Sequence, residues 1–245
     1  MIRNIRNKKY FDRVIMLVIM TTILFVFGII ILRYHVEGET NMPFQLSKIS
    51  VISSSEGIDK EVTDTKWAFD VCQSNDVFLY IEKNSGYGKT EMIQSVKIDN
   101  IQMESSQKDK IKMYKPDEED EKSIFKNKEE NQVQTIEYKG SIESNLKQLE
   151  ISNQGGLVAF RCSIDNLVEY KSNDEVIAHQ ELLKKAGVTK ESLEAKIIFD
   201  LIIKLESGKE FQTTISLDFP IGNVIDDGVV SKEITEVNDF IFKRV

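Results

Sequence analysis

Two hydrophobic patterns divide the chain. Residues 14–32 form an unbroken apolar run, VIMLVIMTTILFVFGIIIL, in which only Thr21 and Thr22 are polar. From residue 44 onward, apolar residues alternate with polar ones instead, as in FQLSKISVIS and DVFLYIEK. The continuous run predicts a membrane-spanning helix, whereas the alternation predicts half-buried β-strands.

The apolar run has the length needed to cross a bilayer, since residues rising about 1.5 Å each would span roughly 28 Å. A cleaved signal peptide has a shorter apolar region that ends in small residues, but Arg33, Tyr34 and His35 follow here. Basic residues are concentrated before the run, which predicts a cytoplasmic amino terminus. We therefore expect four regions: a cytoplasmic tail (1–13), a retained signal anchor (14–32), a tether (33–44) and an extracellular domain (45–245).

Period-two alternation recurs through the exported part and predicts about ten strands. Glycine-bearing turns at 153–156, 206–209 and 226–228 separate several of these runs and indicate hairpins. Many short strands with hairpin-like spacing predict a mainly β fold. We expect an antiparallel β-sandwich, built as one large lobe or two small ones.

One segment departs from the alternation. Residues 175–195, EVIAHQELLKKAGVTKESLEA, place Ile177, Leu182 and Leu183 on one face of a helix. Gly187 is suited to end that helix, and Thr189 is suited to begin another. The segment predicts one or two short helices that cap an end of the sandwich.

Residues 116–131, PDEEDEKSIFKNKEEN, are dominated by charge, with seven acidic and three basic side chains. Like charges packed together resist burial, so this stretch predicts a solvated loop or a linker between two lobes. The carboxylates of 117–121 are hard oxygen ligands of the kind that calcium takes. They lack the glycine turn and spacing of a calcium loop, and we expect neither a metal nor another cofactor.

The overall charge narrows the class of partner. The chain has net charge −8, although its first thirteen residues carry five basic side chains and one acidic side chain. The exported part is therefore close to −12. Phosphate backbones repel a domain of this sign, so we expect no nucleic-acid partner.

Cys72 and Cys162 are the only cysteines. A disulfide between them is one alternative, since it suits an exported domain and would close a loop of about 90 residues. The other is a buried free thiol, because Cys162 alternates with Val158, Phe160 and Ile164. Without a second cysteine pair or a Cys/His cluster, structural zinc is not expected.

Residues 84–91, NSGYGKTE, match the end of a phosphate-binding loop, G-x-x-x-x-G-K-[ST]. Lys83 stands where the first glycine of that motif is required, and the residues that follow alternate like a strand instead of opening a helix. We interpret the stretch as the tip of a β-hairpin and expect no nucleotide. Tyr87 and Lys89 remain candidates for contact with a partner.

Catalytic motifs are scarce. His35 and His179 are the only histidines, and Ser105 and Lys108 match the loose S-x-x-K pattern in a polar stretch without helical periodicity. These residues do not predict an enzyme. A carboxylate pair acting on envelope glycan or peptide is the alternative, since such pairs are defined by distance in space.

Residues 65–225 resemble an uncharacterised family of exported or single-pass anchored β-rich proteins of low-GC Gram-positive bacteria. The resemblance rests on ISNQGG at 151–156, AFR at 159–161, and FDLII at 199–203 with SLDFP at 216–220. It implies a cell-surface setting and no assigned activity. Together with the anchor, it leads us to expect a membrane-tethered, non-enzymatic binding protein of the cell envelope, with a protein or cell-wall partner.

Overall fold

A computed structural model describes residues 2–39, 42–63, 66–119, 121–172 and 177–245. Within these residues, eleven strands form two sheets. The five-stranded sheet contains, in spatial order, β10 (Val229–Ile234), β1 (Phe44–Thr63), β2 (Lys66–Lys83), β7 (Gly156–Ser172) and β4 (Ile111–Tyr114). The six-stranded sheet contains β11 (Lys243–Arg244), β9 (Glu210–Asp218), β8 (Ala195–Leu205), β3 (Ile93–Ser105), β5 (Ile136–Ser141) and β6 (Glu150–Ser152). Neighbouring strands are antiparallel except for the parallel pair β5–β6.

The two sheets pack face to face, which confirms the predicted sandwich. Alternate side chains of their central strands are buried in one core between them. The rings of Phe160 on β7 and Phe199 on β8 meet edge to face across this core, with centroids 5.3 Å apart. Full burial of one such side chain stabilises the fold by about 1.5–3 kcal/mol.

A hydrogen bond between side chain and backbone also joins the sheets. Tyr138 on β5 is fully buried, and its hydroxyl donates to the Ala159 carbonyl of β7 at 2.7 Å. The same hydroxyl accepts from the Ala159 N–H at 3.2 Å. Burial raises the Tyr138 pKa well above its ordinary value. The phenol thus stays neutral and hydrogen-bonds both backbone polar groups of the buried Ala159.

Short helices cap one end of the sandwich, as the sequence predicts. They are α2 (Leu182–Lys185), α3 (Lys190–Leu193) and α4 (Val224–Asp227). A second, smaller hydrophobic cluster packs against Val71 of β2 and contains the buried Leu183, Leu193 and Val224. Gly187 follows α2 with φ +71°, the left-handed conformation that ends many helices. Both the stop at this glycine and the restart after Thr189 are confirmed.

The amino-terminal helix α1 (Ile2–Glu39) is a single continuous helix. Its segment Arg13–Ile31 is long and apolar enough to cross a membrane, with a mean hydropathy of 3.0, and none of it is buried against the rest of the molecule. The helix continues through residues 33–39, which the sequence predicts to be part of the tether. Only residues 40–43 therefore separate α1 from β1.

Two of the predicted hairpins are crossovers between the sheets. Residues 84–92, which include NSGYGKTE, connect β2 in the five-stranded sheet with β3 in the six-stranded sheet, so the hairpin interpretation was wrong. Residues 153–155 likewise cross from β6 to β7. Alternation on both sides of a turn is the same whether the chain returns in its own sheet or passes to the facing one.

The other two turns also differ from each other. Residues 206–209 form a true hairpin between β8 and β9, with Gly208 at φ +80°. Residues 226–228 end α4 instead, because Gly228, at φ +73°, follows its last residue. A left-handed glycine serves equally well in a hairpin turn and after a helix, so the glycine alone did not distinguish them.

Candidate interaction site

A bulge in β3 opens one edge of the six-stranded sheet. The pairing of β3 with β8 shifts register between Asp99 and Gln102, and Asn100 within the bulge has φ +51°. Asparagine visits this left-handed conformation more readily than most residues because its short amide can hydrogen-bond locally. Here the amide donates to the Asp200 carboxylate of β8 at 2.7 Å, which holds the bulge in place.

Strand β5 leaves β3 at this bulge. Their last paired residues are Ile98 and Ile136, so residues 99–105 of β3, all of which the structure describes, pair with β8 alone. The other edge of this segment presents backbone N–H and C=O groups that the sheet does not use. An edge of this kind is a template for pairing with another extended chain.

The facing wall comes from the five-stranded sheet. After β3 the chain enters β4, which pairs with β7 and not with β3, and a cleft of about 510 Å³ separates the two strands. Residues 132–135 close the cleft on their way to β5. Its apolar lining consists of Ile101, Met103, Ile111, Met113 and Val133.

The apolar lining is continuous with the main core. Ile101, Met103, Ile111 and Val133 are partly buried and pack against core residues, so each presents its remaining surface to the cleft. On β3, the exposed Gln102 separates the two half-buried side chains. This arrangement suits an added strand whose apolar side chains alternate in the same way.

Buried polar contacts fix β4. The hydroxyl of Tyr114, the last residue of β4, donates to the Asp165 carboxylate of β7 at 2.5 Å. Ser163 donates to the same carboxylate at 2.6 Å. Burial, and then this hydrogen bond to an anion, raise the Tyr114 pKa far above its ordinary value. The hydrogen bond from the neutral Tyr114 phenol to the buried Asp165 carboxylate thus fixes this wall of the cleft.

The acidic stretch packs against the outer face of the five-stranded sheet, so the prediction that it is solvated was wrong for part of its length. Asp117, Phe125 and Asn131 are buried. Asp117 accepts a hydrogen bond from the Glu119 N–H at 2.9 Å and lies 3.6 Å from the Lys128 ammonium. The carboxylates of this stretch therefore engage its own backbone and lysine.

Arg161 is the main attachment point of this loop. It lies on β7 with a side chain only 7% exposed and binds both carboxylate oxygens of Asp76, at 2.6 and 3.0 Å. Its Nη1 contacts Glu56 at 2.9 Å and donates to Asn127 of the loop at 3.2 Å. The Phe125 ring lies over the guanidinium, 5.3 Å away. Burial opposes the charge, but the two carboxylates raise the Arg161 pKa.

This cluster was not predicted from the sequence. Its signal is the lone arginine in the otherwise apolar run LVAFRC, since an arginine is almost never fully buried unless it is paired. A second signal is Phe125, an aromatic residue in a stretch of charges. Neither residue identifies its partners from the sequence, because Asp76 and Arg161 are 85 positions apart.

Two carboxylates at the bulge are held in the ionised state. Lys97 donates to Asp99 at 2.5 Å and lowers the Asp99 pKa. Burial acts to raise the pKa of Asp200, but hydrogen bonds from Thr214 and Asn100 outweigh it and lower that pKa. A general acid for glycoside hydrolysis requires the opposite shift. This pair therefore provides fixed negative charge and no proton at neutral pH.

Tyr87 and Lys89 do not line the cleft. They lie in the crossover 84–92, where Tyr87 is half-buried and Lys89 is exposed. The hydroxyl of Tyr87 accepts a hydrogen bond from Lys209 at 3.2 Å, and Lys209 also pairs with Glu91 at 3.2 Å. The contact of these two residues with a partner stays a prediction.

The glycines of NSGYGKTE are not required by backbone conformation. Neither Gly86 nor Gly88 has a positive φ, and a Cβ added at Gly88 would meet no atom within 4 Å. The loop therefore lacks the constrained glycines of a phosphate cradle. Its backbone connects the sheets and is fixed in part by the Asn84 side chain, which accepts from the Gly86 N–H at 2.9 Å.

Cys72 and Cys162 are free, buried thiols. Cys162 lies in the main core, and burial raises its pKa well above the ordinary value. Burial, with a contribution from the nearby Asp165 carboxylate, raises the pKa of Cys72 to about 11. Both thiols are therefore protonated at neutral pH, and the disulfide alternative is not present in this structure.

Comparison of the chain with protein-family models, with curated proteins and with solved structures found no match. The fold and the cleft therefore define a class by their own geometry: a mainly β sandwich with an open sheet edge, preceded by one apolar helix long enough to cross a membrane.

Proposed function

We propose that this chain is a membrane-tethered, extracytoplasmic binding protein of the bacterial cell envelope. The observation that carries the proposal is the junction between α1 and the sandwich. An apolar segment of membrane-spanning length, no part of which is buried, is joined by residues 40–43 to a folded domain. Apolar surface of that extent is stabilised by lipid and not by water.

Charge supports the orientation of the anchor. Five basic residues precede the apolar segment within the first thirteen positions, whereas one, Arg33, follows it closely. By the positive-inside rule, the sandwich is extracytoplasmic. The resemblance of residues 65–225 to anchored β-rich proteins of low-GC Gram-positive bacteria favours the same location.

The binding activity is assigned to the cleft at the free edge of β3. Its occupant is an extended protein segment that adds as a strand to residues 99–105, with alternate apolar side chains entering between Ile101, Met103 and Val133. Main-chain hydrogen bonds supply the affinity in this mode of recognition, and the side-chain pockets supply the specificity. A hydrolase acting through carboxylates stays an alternative prediction.

Photo-crosslinking in intact cells tests the binding site. A photoreactive amino acid at Met103 is expected to capture a specific envelope protein, whereas the same probe at Lys204, on the outer face of β8, is not. Replacing Met103 by lysine should abolish capture from a neighbouring probe at Gln134, because an edge lysine opposes strand addition. The matched variant Ile58→Lys, at an exposed apolar position of β1, should leave capture unchanged.

Orientation is tested separately. A membrane-impermeant thiol reagent should label Ile58→Cys in intact cells, since this position is exposed in the sandwich. Labelling only after lysis would contradict the extracytoplasmic location. Equal capture from Met103, Gln134 and Lys204 would instead contradict the assignment of the cleft while leaving the orientation intact.

A further inference from the structure

Exposed apolar side chains are concentrated at one end of the sandwich. Among the described side chains outside α1, seven large apolar ones are exposed, and four of these lie at the end from which β1 starts. We call these four the apolar rim: Met92 (37% exposed), Ile142 (88%), Ile241 (53%) and Val245 (59%).

Strand pairing places the rim residues at a common end. Met92 directly precedes β3. The first residue of β3, Ile93, pairs with Leu205, the last residue of β8, so Met92 lies beside the end of β8. Ile142 follows Ser141, the last residue of β5. Asn153 links this end of β5 to the start of β3, because its N–H donates to the Ser141 carbonyl and its carbonyl accepts from the Ile93 N–H. The rim thus crosses the six-stranded sheet from β3 to the β5 edge.

The other two rim residues lie at the opposite edge of the same sheet. The Val245 N–H donates to the Glu210 carbonyl, at the start of β9, with an N···O distance of 3.0 Å. This distance is typical of a backbone hydrogen bond between strands. Ile241 lines a cleft of about 400 Å³ together with Phe44, the first residue of β1, and Asn84. The rim therefore extends across the six-stranded sheet, from β11 to β5, at the end that carries the anchor.

This end is held close to the anchor. Residues 40–43 can span at most about 18 Å between α1 and β1. Strand β11 lies close to α1, and none of the apolar segment Arg13–Ile31 is buried, so this end of the domain is near the helix without covering its apolar segment. The helical turns at 32–39 rise about 12 Å above the hydrocarbon, a height comparable with the headgroup layer plus a few ångströms.

We propose that the apolar rim rests in the headgroup region of the bilayer and fixes the orientation of the sandwich on the membrane. The inference depends on the proposed anchor. Exposed lysines at this end, such as Lys83, Lys89 and Lys243, are balanced by exposed carboxylates such as Glu82, Glu143 and Glu206. Burial of apolar side chains at the interface, and not attraction to anionic lipid, therefore stabilises the contact. Tyr87, half-buried in the crossover at the same end, suits such an interface as well.

Spin-label accessibility of the full chain in proteoliposomes tests the rim. Labels on Ile142→Cys and Ile241→Cys should be several-fold more accessible to lipid-soluble oxygen, relative to a water-soluble nickel chelate, than labels on Ile58→Cys and Val229→Cys. The two control positions are also exposed and apolar but lie well away from the start of β1, since Val229 pairs with Ser54 in the middle of that strand and Ile58 lies further along it. Bilayers of phosphatidylcholine with and without phosphatidylglycerol should give the same result.

A label on Phe25→Cys, in the middle of the apolar helix, separates the two proposals. Suppose that the Phe25 label is accessible to oxygen but the rim labels have the same relative accessibility as the two controls. That result would contradict the rim contact and still support the anchor. A Phe25 label exposed to the nickel chelate would overturn both. Rim labels shielded from both reagents would show a protein contact, such as a second copy of the chain, and would likewise overturn the lipid contact.

A charge variant gives an independent readout. With aspartate at both Ile142 and Ile241, a label on Met92→Cys should become accessible to the nickel chelate, because charged side chains leave the interface. Both positions are exposed, so the thermal unfolding midpoint should stay near that of the parent. An unchanged Met92 label in this double variant would count against the rim.

Discussion

Arg161 and Asp76 lie directly opposite each other on β7 and β2, and the guanidinium binds both oxygens of the carboxylate, at 2.6 and 3.0 Å. The pair is shielded by the acidic loop, whose Phe125 ring covers the guanidinium. This ion pair lies on the outer face of the sheet, but the loop covers it, and Arg161 attaches the loop to the sheet. The folded position of the loop depends on it.

Replacing Arg161 by methionine should destabilise the protein by about 3–5 kcal/mol, because it leaves the Asp76 carboxylate partly buried without its partner. The measurement is the urea-unfolding midpoint of the full chain in detergent, followed by circular dichroism. Trypsin should also cleave faster at Lys122, Lys126 and Lys128 in the released loop.

The matched control is Lys48→Met. Lys48 pairs with Glu233 at 2.9 Å between β1 and β10, but both side chains are substantially exposed. Exposed pairs contribute little to stability, so the midpoint should move much less than in Arg161→Met. Equal shifts in the two variants would show that the buried pair does not hold the loop.

The carboxylate of Asp200 predicts a dependence of stability on pH. Its pKa is lowered in the folded state, so its contribution is complete above the unfolded-state pKa, near 4, and is lost as the pH falls through the lower folded value. Asp200→Asn should cost about 1–3 kcal/mol at pH 7, because it disrupts hydrogen bonds from Thr214 and Asn100. The difference from the parent should shrink as the pH falls below about 4.

Urea midpoints of parent and variant across this pH range provide the measurement. Glu104→Gln, at an exposed position of β3, is the control and should leave the midpoint nearly unchanged at every pH. A difference between parent and Asp200→Asn that stays constant down to pH 2 would show that the ionised carboxylate is not the stabilising form.

The two cysteines should be unreactive until the protein unfolds. Burial raises the pKa of both thiols, that of Cys72 to about 11, and the thiolate is the reactive form. Iodoacetamide at pH 8 should therefore leave the native protein unmodified. In denaturant without a reductant, mass spectrometry should show alkylation of both residues. Protection that persists until a reductant is added would demonstrate a disulfide.

Gly140 is expected to be intolerant of any side chain. A Cβ at this position of β5 would lie only 2.0 Å from the Ile93 carbonyl oxygen, a backbone atom with little freedom to move. Gly140→Ala should destabilise the protein by about 3 kcal/mol, at the upper end of the range for overpacking. Gly88→Ala is the control, since open space surrounds that glycine. Thermal unfolding of the two variants measures the difference.

Alternation along the chain predicted most strands and the sandwich, because burial of one face of a strand imposes a period of two. It did not predict the partner of each strand. NSGYGKTE resembled a hairpin tip for this reason: the runs before and after it alternate correctly, but they belong to different sheets. Partner choice depends on contacts distant in sequence, which one chain does not reveal.

Strand β10 was missed because alternation fails at a sheet edge. Only Val230 and Ile234 of its six residues are half-buried, and the rest are exposed. The cleft was missed for a related reason. It depends on the bulge at Asn100 and on the departure of β5 after Ile98, and neither the φ of one asparagine nor the end of a pairing leaves a mark in hydrophobic periodicity.

The chain passes repeatedly between the two sheets, and its first strand, β1, pairs with β10. Lys48 and Glu233, which form an ion pair across these strands, are 185 residues apart. Contacts this distant must wait for closure of a long loop, which slows folding. Under the proposed orientation, in which the amino terminus stays cytoplasmic, the residues next to the anchor cross first, and β1 would be exposed without its edge partner until residue 234 has crossed. Under that proposal, the native state would be acquired only after translocation, and the emerging polypeptide would be a substrate for extracytoplasmic chaperones and proteases throughout that interval.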